Sequence, residues 1–122
     1  MSADATKASK ELGFYNDYKT ALEQAKAKKG LMVLVVVWNP CSACDRLVKN
    51  TLSNSDVNKK LQEYTTVILD YKDSMPKQFK GEVAPKIFYI DSKTEEAVAE
   101  NMGVVSVETI LDDLKEAEED LE

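Results

Sequence analysis

Cys41 and Cys44 are the only thiols of this 122-residue chain, and they sit three positions apart in "WNPCSACDRL". A pair at that spacing can exchange electrons as a dithiol–disulfide couple. It can also supply half of a zinc site that a second chain completes. Or it can do no chemistry and pack as two small core residues, which cysteine often does. The rest of the composition narrows the field, because histidine is absent. That removes Ser–His and Cys–His nucleophilic pairs, imidazole-ligated zinc and C-x-x-C-H haem attachment. Two cysteines cannot give one ion four thiolates within a single chain. Met32, Met75 and Met102 are too scattered to read as a metal set, so no resident metal or cofactor is expected.

The elements around the pair must position it. "LMVLVVV", Leu31–Val37, is a continuous β-branched run without alternation, the pattern of a strand covered on both faces. A helix is expected to begin at or beside Cys41, because Cys44, Leu47, Val48 and Leu52 then fall on one apolar face. In that register Cys41 lies at the first turn, facing solvent, and Cys44 lies one turn deeper and partly buried. Unpaired N–H groups and the positive end of the helix dipole then stabilise a Cys41 thiolate. They draw its pKa from about 8.5 into the roughly 3.5–7.5 range of such sites. Geometry thus divides the labour: Cys41 attacks and Cys44 resolves.

Elsewhere the chain reads as helix, strand, helix, short helix, strand, hairpin and helix. The first helix is expected over Asn16–Lys29, ending at Gly30 as a left-handed cap. "SNSDVNKKLQEY" adds a short helix capped by Ser53 or Ser55, and "TTVILDY" a second buried strand. "KIFYI" and "EEAVAEN" pair through the turn "DSKT"; Ser106 caps a last helix striped by Val107, Ile110, Leu111 and Leu114. Tyr64, Tyr71, Phe79, Phe88 and Tyr89 read as core or half-buried residues. The expected fold is α/β: one domain over residues 1–122, with a mixed sheet of about four strands flanked by helices. Residues 1–14 and 118–122 are expected to be frayed.

A net charge of −6 leaves no basic stripe for nucleic acid. No apolar run approaches the roughly 20 residues that span a bilayer. The N-terminus lacks a signal-peptide core, so the chain is either cytoplasmic or the mature form of an exported protein. A monomer is expected.

The stretch from "VLVVVWNPCSACDRL" through "VAPKIFYI" to the Gly103-helix ending resembles the thioredoxin family of thiol–disulfide oxidoreductases, closest to its periplasmic-type branch. The resemblance spans roughly Ala21 to Leu114. It implies a thioredoxin fold, and Cys41 and Cys44 as a redox-active centre working without cofactor, as a reductase. It also implies protein partners carrying disulfides or thiols, a second redox partner that recycles the dithiol by electron transport, and a periplasmic setting. Ala84–Pro85 matches the family's cis-proline, with the Ala84 backbone offered to an extended segment of substrate as in strand addition.

The chain departs from the family in four places. Pro40 stands where tryptophan usually precedes the first cysteine, and Trp38 lies two residues earlier, shielding the site or packing in the core. Ser42–Ala43 replaces Gly-Pro between the thiols, with a hydroxyl that either donates to the thiolate or faces water. The buried acid of the family falls near Val35, and its lysine partner near Leu69; both positions are aliphatic here. The family's proton relay to the resolving thiol is therefore missing. Trp38, Pro40, Ser42, Ala43, Ala84 and Pro85 are the expected substrate-contacting set.

Overall fold

Every residue of β1 (Leu31–Val37) is buried, as a doubly covered strand requires. The two faces feed two separate cores. Val33, Val35 and Val37 join one cluster with Cys44, Leu47, Ile68, Ile87 and Ile110. Met32, Leu34 and Val36 join the other with Tyr18, Ala21, Leu69, Phe79 and Phe88. Each fully buried aliphatic side chain here stabilises the fold by about 1.5–3 kcal/mol relative to exposure.

The computed structural model describes residues 3–28 and 30–121. In chain order it contains α1 (Ala5–Leu12), α2 (Tyr18–Ala27), β1, α3 (Ser42–Arg46), α4 (Ser55–Leu61), β2 (Thr65–Asp70), β3 (Lys86–Asp91), β4 (Glu96–Met102) and α5 (Val107–Glu119). From Leu47 to Leu52 the chain continues α3 as a π-helical turn, and Lys77–Phe79 forms a 3-10 turn. The sheet order is β2-β1-β3-β4, with β1 parallel to β2 and antiparallel to β3, and β4 antiparallel to β3. It is the expected mixed sheet. Among the described residues no helix is long and apolar enough to cross a membrane.

Several local expectations change. Residues 3–14 are not frayed. Asp4 caps α1, Ala5, Ala8 and Leu12 are buried, and Gly13 closes the helix in the left-handed region at φ 75°. The Ala3 N–H donates to Asp45 Oδ1 at 2.7 Å, pinning this segment to the helix that carries Cys44. The missed signal was the spacing of those three apolar residues behind an aspartate cap. At the other end α5 runs to Glu119, with Ala117 buried and the Tyr64 hydroxyl donating to Glu118 Oε2 at 2.8 Å. Residues 1, 2 and 122 fall outside the described set, as does Lys29.

The caps of the remaining helices divide the same way. α2 starts at Tyr18 behind an Asp17 cap, and Gly30 is not left-handed; its N–H returns to the Ala25 carbonyl at 3.1 Å. Asn54, rather than either serine, caps α4: its Oδ1 accepts from the N–H groups of Asp56 and Val57. The amide reaches both orphan donors from a position where a serine on either side does not. Ser106 caps α5 as expected.

Three tyrosines carry a pH dependence. Burial first, then the charge of Asp113, holds the Tyr89 phenol well above its ordinary value near 10. Burial and a hydrogen bond to Glu95 raise Tyr18, and burial and a hydrogen bond to Glu118 raise Tyr64. A folded-state pKa above the unfolded one contributes stability that is complete below about pH 10 and is lost as pH rises through the folded value. Alkaline titration should therefore show tyrosinate absorbance rising together with loss of circular dichroism. Full ionisation of all tyrosines with the fold intact would contradict these environments.

Candidate active site

The N-cap of α3 is a cysteine. Cys41 has extended backbone angles, and the Cys44 N–H donates to Cys41 Sγ at 3.1 Å. The helix register thus puts one of its orphan donors on the outer sulfur. Cys41 is partly exposed, whereas Cys44 is 0% exposed and belongs to the core cluster with Leu47, Val48 and Leu52. The two are joined as a disulfide, with their Cα atoms 5.2 Å apart. The Trp38 N–H points at Cys44 Sγ from 3.5 Å, on the strand side of the bond.

Strand pairing brings the proline to the same end of the sheet. Val36 of β1 pairs with Lys86 of β3, so Pro85 lies level with the end of β1, from which the chain turns into Cys41. Pro85 is buried, and the Ala84–Pro85 peptide is cis. Ala84 and Cys41 each pack against the same core cluster. Gly103, just past β4, donates its N–H to the Pro85 carbonyl at 2.9 Å, with φ 80°.

The remaining sequence candidates divide. Ser42 is exposed, Ala43 partly so; the hydrogen bond recorded to Cys41 Sγ comes from a backbone amide. Pro40 is exposed and follows a second cis peptide, Asn39–Pro40, that no feature of the sequence announced. Trp38 is half-buried, and its ring packs on Tyr71 with centroids 5.2 Å apart. Its indole N–H is buried with no hydrogen-bond partner among the described residues.

Tyr71 corrects an expectation: it is 42% exposed, on the loop after β2, not a core or half-buried residue. Parallel pairing sets Asp70 beside Val37, so the residues that follow each strand meet at this rim. Val83, Met102 and Val104 are also exposed, and their positions flanking Pro85 and Gly103 place them on the same rim.

Val35 and Leu69 are both fully buried aliphatics, but they lie on opposite faces of the sheet. The neighbour of Val35 on its own face is Ile68, its partner in the parallel register. Leu69 therefore does not share the face of Val35. A one-residue slip turns a strand side chain to the other face. No side chain at 35 or 68 can accept a proton from Cys44.

No protein-family model matches the sequence, and no curated protein matches it. Solved structures do. A thioredoxin from Thermus thermophilus superposes with a TM-score of 0.74 at 16% identity, over 84% of this chain and 85% of that one. The oxidised C-terminal domain of DsbD from Neisseria meningitidis gives 0.69 at 16% identity, over 85% and 98%. The DsbH oxidoreductase gives 0.69 at 18%, over 86% and 83%. At such identities likeness speaks for architecture, and the architecture of this chain is the thioredoxin fold.

Proposed function

We propose that the protein is a thiol–disulfide oxidoreductase that exchanges the Cys41–Cys44 couple with protein partners, as a reductase of their disulfides. The observation that carries this is the unequal pair: an outer sulfur capped by a helix N–H and an inner sulfur sealed beneath it. In the reduced protein the Cys41 thiolate attacks one sulfur of a partner disulfide, forming a mixed disulfide and releasing the partner's other thiolate. Cys44 gives its proton to water and, as the thiolate, attacks Cys41 Sγ. The Cys41–Cys44 bond forms, the mixed disulfide breaks, and two electrons have passed to the partner. A second redox partner must return them.

Trp38, Pro40, Ser42, Ala43, Ala84 and Pro85 are the surface this reading assigns to substrate, with the Ala84 backbone meeting an extended segment. The chain works in this reading as a single-domain monomer. An exported, periplasmic setting goes with it on the resemblance in sequence. The zinc half-site is disfavoured, since a fully buried Cys44 cannot reach an ion shared with a second chain.

Alkylation tests the assignment. In the reduced protein, iodoacetamide at neutral pH should modify Cys41 first, at least about tenfold faster than a model thiol, because the thiolate is the nucleophile. Peptide mapping locates the adduct, and an insulin turbidity assay reports turnover. Equal labelling of both cysteines at the rate of a free thiol, with insulin left intact, would refute the proposal.

A further inference from the structure

The helix that holds both sulfurs is tied to the proline loop by a side chain outside the C-x-x-C segment. Thr51 lies in the π-helical turn that continues α3 and is 3% exposed. A threonine inside a helix ordinarily bonds back to a carbonyl of its own preceding turn. Thr51 instead donates its hydroxyl to the Val105 carbonyl, 54 residues away, at 2.7 Å. Val105 is two residues past Gly103, whose N–H holds the Pro85 carbonyl at 2.9 Å. Two hydrogen bonds and one short loop therefore connect the cysteine helix to Pro85, at the same end of the sheet.

We infer that Thr51 is a positioning residue: through Val105 and Gly103 it sets the spacing between the cysteine helix and the Ala84–Pro85 edge. That spacing decides how well an extended protein segment fits between them. The inference rests on the oxidoreductase reading and adds a determinant of fit for protein disulfides. Thr51 touches neither sulfur, and the N–H on Cys41 Sγ is local to α3, so the intrinsic reactivity of Cys41 does not depend on it. A small disulfide that needs no strand-like docking should be indifferent to it.

Thr51→Val keeps the shape and removes the donor. Its KM for insulin is expected to rise about five- to tenfold, the effect of losing one buried hydrogen bond, with kcat within about twofold. Turnover of oxidised glutathione and the alkylation rate of Cys41 should stay within about twofold of wild type. Thr51→Ser should restore the insulin KM. Thr51→Ala carries the same expectation as Thr51→Val without placing a methyl group against the carbonyl, should the valine variant fail to fold. A purely structural role predicts a lower Tm with the insulin KM unchanged below it, and that result overturns the inference. An equal loss on insulin and glutathione disulfide also overturns it. If the wild-type protein reduces neither disulfide, the oxidoreductase reading itself falls, a result distinct from either.

Discussion

Cys41→Ser is expected to abolish disulfide exchange, and Cys44→Ser to stall it halfway. The first variant loses the outer, partly exposed sulfur to which the proposal assigns the attack, and a hydroxyl at the same N-cap is not ionised near neutral pH, so turnover of insulin should fall by at least about a thousandfold. The second keeps Cys41 and most of its setting, because the N–H that caps Cys41 Sγ belongs to the backbone of residue 44. Attack proceeds, but nothing lies beneath the mixed disulfide to displace the partner. Adducts should accumulate as heavier bands on a non-reducing gel and vanish on adding dithiothreitol. Serine at 44 also keeps an acceptor for the Trp38 N–H, so the fold should survive. A binding module of the same fold predicts otherwise: Cys41→Ser would support function undiminished, and Cys44→Ser would trap nothing. Retention of more than about a tenth of wild-type turnover by Cys41→Ser would remove Cys41 from the nucleophile's role.

Val35→Asp should cost the protein about 3 kcal/mol or more at neutral pH, a large part of the 5–15 kcal/mol typical of a domain. Position 35 is fully buried among Cys44, Ile68 and Ile87, none of which can pair with an introduced carboxylate. Desolvation raises the folded-state pKa of that carboxyl above its unfolded value. The sign follows from linkage: the variant is least destabilised below pH 4, where the group is neutral in both states. It loses stability as pH rises towards the folded pKa, since only the unfolded chain releases the proton freely. Thermal unfolding at acid and neutral pH measures this, with a drop in Tm of roughly 10 °C or more at neutral pH. Adding Ile68→Lys, on the same face, should recover part of the loss, whereas adding Leu69→Lys should worsen it by burying a second charge on the opposite face. Equal Tm values for Val35→Asp at acid and neutral pH would mean that water reaches position 35.

The geometry of the cysteine pair was legible because it is local. A C-x-x-C at a helix start places one sulfur over unpaired amides and the other on the apolar face, and the structure shows Cys41 and Cys44 so placed. The unbroken apolar run Leu31–Val37 required cover on both faces, and it has it. Ser106 and the stripe through Ile110 and Leu114 marked α5 in the same way. α1 is equally legible, from Asp4 and the spacing of Ala5, Ala8 and Leu12, and is not the frayed end expected of residues 1–14.

What only the tertiary structure decided is how distant segments register. A strand buried on both faces has no alternation, so nothing in "LMVLVVV" or "TTVILD" says which residue stands beside which. Hence the pairing of Val35 with Ile68 rather than Leu69, and the meeting of Tyr71 with Trp38, could not be read from the chain. The tie from Thr51 to Val105 and on through Gly103 to Pro85 has the same origin. Helix caps and helix faces are set within a few residues of themselves; contacts across the sheet wait on a register that the whole core chooses together.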